Sequence, residues 1–584
     1  MKYELRKIDI GEDDSKNNPA ALLSSIKGEY GKLFIVLLVI LFNSALTIAA
    51  PLLLGMVVDI VTKNPQISEI TKYSLVLLGI YAAIAITSYF QTMLTGSIGQ
   101  RVLFRLRNQI FGKLQSFPIA FFNANKSGDL ISRINNDTEK LNRFFSEGLV
   151  RMVGEIFVLV GIGIFILILN WKLGLATLGA VVVLFIVTTV LTPWIRNRNR
   201  KSLEATGDFA SDIQENLNNY KVLVVFNRKD YFRTKMHDST ARTYDAAVSA
   251  GIANNISAPL YDLASKASLL LVLVVGFYLI GQGEITIGLL VSFIAYANAF
   301  YGPLREMAQV YSIVQAAIAA WERIQEILGL DSDMVNVTEP ETSNSSDILE
   351  FKKVDFGYDE NKLILNDITF EFEKGKTYAL VGPTGGGKTT TASLMSRLYD
   401  PIEGKVFLMG KDIRSFSDEE RTDIIGFILQ DPYIFSSDVY DNIVYGNKKY
   451  DGVTKEEFAK QLEERGLSEL ISRFKDGLDT MISSTDENIS LGQKQLVAFL
   501  RTILREPKLL ILDEATANID TITEESLQKI IDHLPKETTK VIIAHRLNTI
   551  RKADEIIFIN AGEVQKSQNF DEIVGLIEKS KRVS

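Results

Sequence analysis

The chain is 584 residues long, with 63 Lys and Arg against 71 Asp and Glu; its net charge of -8 offers no broad basic surface, so no nucleic acid is expected as a partner. It contains no cysteine and three histidines (His237, His533 and His545), which excludes a disulfide framework, a thiol nucleophile and a cysteine or clustered-histidine metal site. A mean hydropathy of +0.12 beside 23% charged residues is the average of two unlike parts, because the long apolar runs all precede about residue 320.

The first 32 residues are polar and mixed in sign (Lys2, Glu4, Arg6, Lys7, Asp9, Glu12) and predict a cytoplasmic segment with no removable signal peptide. A bilayer-crossing helix needs about 20 apolar residues. Six runs qualify, at 33–61, 73–95, 150–169, 173–193, 260–281 and 285–308, so a six-helix membrane domain is expected over 33–328. The connections 62–72, 170–172 and 282–284 are short, whereas 96–149 and 194–259 are long and helical in pattern. Arg101, Arg105, Arg107, Lys113, Lys126, Arg133, Lys140 and Arg143 lie in the first long connection, and Arg196, Arg198, Arg200 and Lys201 in the second. The positive-inside bias puts both in the cytoplasm. Trp171 and Trp194 fall at predicted helix ends and read as interfacial anchors, while Arg151 and Glu155, four residues apart, read as a pair on one helix face.

A linker is predicted at 329–348, where the composition turns to Asp, Ser, Asn, Thr and Pro, too polar to fold alone. Beyond it, over 349–584, short apolar strands alternate with helical segments, the pattern of an α/β domain with a largely parallel sheet. Here Gly382-Pro383-Thr384-Gly385-Gly386-Gly387-Lys388-Thr389 matches GxxxxGK[ST], with the strand TYALV before it and a helix-compatible run beginning Thr390 after it. Glycines let backbone N–H groups surround the α- and β-phosphates of ATP, Lys388 neutralises the β/γ oxygens, and the Thr389 hydroxyl is a Mg2+ ligand. Further on, Leu509 to Leu512 deliver Asp513 and Glu514 to the C-terminal end of a strand, where open α/β sheets bind ligands. Asp513 is expected to hold Mg2+ through its water shell, and Glu514 to polarise the attacking water. His545 ends the strand VIIA.

These motifs together resemble the ABC transporter ATPase family, over nearly the whole chain. On that resemblance, Tyr358 in VDFGY looks like the aromatic that stacks on adenine, and Gln430 in LQDPYIFS like the glutamine that touches Mg2+. The run Ile489-Ser490-Leu491-Gly492-Gln493 is similar to the signature that caps ATP on the opposite subunit. Ala517-Asn518-Ile519-Asp520 resembles the D-loop, and His545 the switch histidine on the γ-phosphate. Thr390, Ser490, Gly492, Gln493 and Asp520 are therefore expected among the nucleotide contacts. In the membrane half, 121–138 and 215–229 are similar to the two intracellular coupling segments of exporters, and 284–328 to the sixth helix and its exit.

The resemblance implies an α-helical exporter-type membrane domain with long cytoplasmic extensions plus an α/β P-loop NTPase domain. It implies a dimer of half-transporters that moves a hydrophobic drug, lipid or peptide out by alternating access. A lipid flippase or an ATP-gated channel shares the architecture. Two departures stand out: Leu491 where the signature has glycine, and Ser484 where many exporters carry glutamate. Leu491 crowds the cap, whereas Glu514 and His545 keep this chain's own catalytic pair, so a heterodimer is favoured over a homodimer. The bilayer is expected to be a bacterial inner membrane, with the nucleotide-binding domain on its cytoplasmic side.

Overall fold

The computed structural model describes residues 3, 5, 28–63, 66–334, 336–339, 341–359, 362–483, 489–513, 521–532, 534–544, 550–560, 562–567, 572 and 575. It divides into two compact units: Leu5–Gln115 with Ser127–Leu330, and Met1–Glu4 with Ser116–Lys126 and Asp331–Ser584.

The first unit is helical. Among the described residues six helices are long and apolar enough to cross a membrane: α1 (Tyr30–Lys63), α2 (Ile67–Gln115), α4 (Ser127–Leu169), α5 (Trp171–Asn218), α7 (Lys229–Gly281) and α8 (Ile287–Gly329). A six-residue helix, α6 (Tyr220–Val225), joins α5 to α7, and α3 (Ile119–Ala124) belongs to the other unit. Each crossing helix overruns its apolar run. Hydropathy reports only the lipid-facing stretch, while the intrahelical hydrogen bonds continue wherever the chain turns charged but holds no breaker. Trp194 therefore lies inside α5 rather than at a helix end, with Arg198 over its ring at 6.0 Å.

Several polar groups in these helices find partners within the protein, as a hydrocarbon surrounding favours. The Asp59 carboxylate on α1 accepts from the Thr286 hydroxyl at 2.6 Å and from the Gly288 N–H at 2.8 Å, capping the start of α8. Just beside it the α1 and α8 backbones touch: a Cβ on Gly288 would sit 2.1 Å from the Gly55 carbonyl oxygen, so only glycine fits. Tyr296 is fully buried and donates to the Ile48 carbonyl at 2.6 Å, and the Thr177 carbonyl accepts from both Ser268 and Tyr301. Arg151 reaches across to Glu306 on α8 at 3.6 Å while still acting electrostatically on Glu155 of its own helix, so the expected pairing gains an interhelical partner.

Two π-helical turns, Arg133–Asp137 and Phe144–Gly148, interrupt α4. The first carries a buried ion network. Arg133, 1% exposed, donates to Asp129 at 2.9 Å and to the Arg323 carbonyl and the Glu326 carboxylate of α8, both at 2.7 Å. Arg323 returns to Asp129 at 2.6 Å and to Asp137 at 3.2 Å, and Lys140 also pairs with the fully buried Asp137. Removing one partner would leave uncompensated buried charge. Arg133→Ala is expected to lower the thermal unfolding midpoint of the detergent-solubilised protein by about 5 °C or more, whereas the exposed pair partner Arg200→Ala should change it little.

In the second unit a six-stranded sheet has the order β12-β11-β3-β10-β9-β6 and a four-stranded one the order β2-β1-β4-β5. Their strands are β1 (Leu349–Phe356), β2 (Leu365–Phe372), β3 (Thr377–Val381), β4 (Glu403–Leu408), β5 (Lys411–Asp412), β6 (Ile425–Ile428), β9 (Leu509–Asp513), β10 (Thr539–Ile543), β11 (Glu555–Asn560) and β12 (Glu563–Ser567), with β7 (Ser437–Asp438) and β8 (Met481–Ile482) paired separately. In the larger sheet only β12 runs antiparallel. Strands such as LLILD are apolar up to their last residue because side chains cover both faces, and all five residues of β9 are buried. The registers matter for the site: Ile543 pairs with both Leu380 and Asp513, and Ile428 with Leu512, so β3, β10, β9 and β6 end nearly level, within two residues of one another.

Candidate nucleotide site

From the nearly level strand ends the chain turns into the loop that begins at Gly382 and runs into α9 (Lys388–Met395). Gly382, Gly385 and Gly387 have φ of +152°, +81° and +109°, and Gly387 is the N-cap of α9. A side chain on Gly382 would put its Cβ 2.0 Å from the Ile559 carbonyl oxygen of β11, so the loop presses on the neighbouring strand. Lys388 is buried, yet its Nζ is satisfied: it donates to the carbonyls of Gly382 at 2.9 Å and Pro383 at 3.0 Å. The ammonium is thereby folded into the loop, the side of the helix N-terminus that attracts anions. Thr384, Gly385 and Thr389 are exposed along the same loop, whereas Gly386 and Thr390 are buried.

Asp513, buried at the end of β9, and Gln430, exposed two residues past β6, share this edge of the sheet with the loop. Tyr358 is half-exposed and lies edge-to-face with Phe356 and Tyr399, both at 5.2 Å between centroids; its hydroxyl meets that of Thr390 at 3.3 Å. Burial raises the pKa of Tyr399, which keeps its hydroxyl neutral as the acceptor for the Asn123 side-chain amide at 2.7 Å. Asn123 sits on α3, inside the segment that the sequence marks as coupling.

Ser490 is the N-cap of α10 (Leu491–Ile503) and forms a reciprocal capping box with Gln493. The Gln493 amide also donates to the Arg473 carbonyl at 2.8 Å. Its side chain thus organises the start of α10, a role that the capping pattern Ser-x-x-Gln could have shown in the sequence. Leu491, the first helical residue, is 41% exposed, and Gly492 is buried. Glu514, Asp520 and His545, with the loop at Ser484, lie outside the described residues.

Residues 33–304 match the family model described as the ABC transporter transmembrane region, and 365–517 match that described as ABC transporter. An uncharacterized ABC transporter ATP-binding protein of Bacillus subtilis (strain 168), YfiC, is 30% identical over 569 residues, covering 96% of this chain and 92% of that protein. The chain belongs to the ABC transporter family. It is a half-size exporter, a multi-pass membrane protein with one ATP-binding domain, and it couples ATP hydrolysis to transport. A fatty acid ABC transporter ATP-binding/permease protein of Mycobacterium tuberculosis (strain CDC 1551 / Oshkosh) is 30% identical over 497 residues, 85% of this chain and 78% of that one. The structure of a bacterial Atm1-family ABC exporter with ATP bound has the same fold, with a TM-score of 0.75 at 24% identity over 95% of this chain and 98% of that chain.

The glycines of this exporter's loop separate two costs. At Gly382 a methyl group meets backbone as well as a left-handed φ, whereas at Gly385 it meets nothing within 4 Å and only the φ is strained. Gly382→Ala is expected to weaken ATP binding by about tenfold or more and Gly385→Ala by less, as read by titration with a fluorescent ATP analogue.

Proposed function

We propose that this exporter drives a hydrophobic solute, a drug, lipid or peptide, out of the cytoplasm by alternating access, as one half of a heterodimer in a bacterial inner membrane. The loop around Lys388 is the observation that carries the ATP-binding part of this reading. Its buried ammonium is held by two carbonyls of its own loop, ready to exchange them for the β/γ-phosphate oxygens. On the reading from the motifs, Gly382, Pro383, Thr384, Gly385, Gly386 and Gly387 cradle the phosphates, with Thr389 and Thr390 following. Tyr358 stacks on adenine. Glu514 orients the attacking water and His545 contacts the γ-phosphate.

The oxygen donors of Thr389, Asp513 and Gln430, gathered at one sheet edge, suit Mg2+, which takes such ligands. The ion would neutralise charge between the β- and γ-phosphates; these residues would hold it, and Lys388 would hold the phosphates beside it.

Two ATP molecules clamped between paired domains shift the transporter only by binding the closed pair more tightly than the open one. The capping residues Ser490, Gly492 and Gln493, with Asp520, belong to that closed pair. Leu491 supports the heterodimer: a half-exposed leucine at the first turn of α10 stands where a glycine would let backbone approach a phosphate. The opposite site it caps is expected to turn over slowly, and this chain's own site, capped by a different subunit, to do most of the hydrolysis. The relative named for fatty acids supports a lipid-like cargo among the three classes.

The test is the ATPase activity of the purified chain alone and together with a second half-transporter encoded beside it. Activity is expected only in the pair and should fall by about 10²-fold or more with Glu514→Gln. Full activity from the chain alone would establish a homodimer and remove the argument from Leu491.

A further inference from the structure

The base side of the site is a cavity of about 670 Å³ whose lining comes from five separate stretches of chain, represented by Tyr358, Tyr399, Pro118, Asp333 and Tyr3. Tyr3 lies more than a hundred residues from the other stretches, yet it is 5% exposed. Its ring is edge-on to Phe117 and Phe121, each at 6.3 Å, and those two stack on each other at 4.4 Å. Its hydroxyl donates to the Asp333 carboxylate and accepts the Asp333 N–H at 2.7 Å, and its carbonyl accepts from the Asn125 side chain at 2.7 Å. Burial pushes the Tyr3 hydroxyl up to about 12, so it stays a donor at any physiological pH.

These contacts form a chain of support. Asn125 is the C-cap of α3, and its amide also bonds the Phe121 carbonyl at 2.8 Å. From the same helix Asn123 orients the Tyr399 hydroxyl, and the Tyr399 ring abuts Tyr358. Helix α3 is only six residues long, too short to hold its place unaided, so its position rests on side chains that dock it. We infer that Tyr3 is a positioning residue of the nucleotide site: it pins α3 between residue 333 and the cavity, and α3 through Asn123 and Tyr399 sets the platform on which adenine stacks. The inference rests on the assignment of Tyr358 as that platform.

A merely structural plug would behave differently from a positioning residue, because its loss would lower folded yield and kcat without a selective effect on nucleotide affinity. The experiment measures the ATP dependence of hydrolysis by the full transporter in lipid nanodiscs for Tyr3→Ala, Tyr3→Phe, Asn123→Ala and the double variant Tyr3→Ala/Asn123→Ala. Tyr3→Ala is expected to raise KM for ATP by about 3- to 10-fold with kcat within about twofold, and Tyr3→Phe, which keeps the ring but loses the bridge to Asp333, to fall between. Asn123→Ala should give a similar rise, and the double variant little more than the larger single effect, since both act on one wall. An unchanged KM, a fall in kcat alone, or full additivity of the two substitutions would overturn the inference. If Tyr3→Ala does not fold, Tyr3→Phe decides on the same criteria. Lys388→Ala separates the two levels of the argument: saturable hydrolysis abolished by it upholds the nucleotide site whatever Tyr3 does. Hydrolysis indifferent to Lys388 overturns that site and this inference with it.

Discussion

A buried ammonium group is the constraint around which the ATP-binding half is arranged. Lys388 is nine-tenths buried, and an unpaired charge there would cost several kcal/mol by order of magnitude. The cost is met by the carbonyls of Gly382 and Pro383, in a loop where Gly382, Gly385 and Gly387 adopt positive-φ conformations that would strain other residues. That loop in turn needs a straight strand before it and a strand beside it, which β3 and β11 provide. Registers among β3, β10, β9 and β6 then bring Asp513 and Gln430 to the same edge without any direct bond to the loop being required.

Charge governs the membrane unit in a different way. Within the lipid-spanning lengths the polar groups are few and locally matched, as with Asp59 capping α8 and Tyr296 closing on Ile48. Below them, where the helices leave the apolar region, charge is dense and networked around Arg133, Asp137 and Arg323. The π turn at Arg133–Asp137 places both ends of that network on the side of α4 that meets α8. A π turn adds a residue to the helical repeat and so rotates the following side chains, which lets a sequence with no apolar stripe still present a consistent face.

The α10 terminus shows how one short motif serves two purposes. Ser490 and Gln493 close the capping box that starts the helix, and the Gln493 amide also holds the Arg473 carbonyl. Leu491 stands at that turn with its side chain half in solvent. A branched apolar group sits there without disturbing the helix, because leucine is a good helix former.

Sequence alone determined the family, the architecture and the ATP-driven class of the chemistry. Six apolar runs of bilayer length, a GxxxxGK[ST] loop between strand and helix, and acidic residues at the end of LLILD are local patterns, and each follows from a few neighbouring residues. Tertiary structure decided what depends on contacts between distant stretches. Helices continued past their apolar runs because hydropathy senses lipid contact and not hydrogen bonding. Arg151 gained Glu306 as a further partner because a neighbouring helix offered its carboxylate. Tyr3, which carries no motif, took a place in the wall of the cavity lined by Tyr358 and Tyr399 because Phe117, Phe121 and Asp333 meet there only after the chain has folded. Local patterns encode what a segment can bind; the burial of one segment by another is set by packing, and no single stretch of sequence contains it.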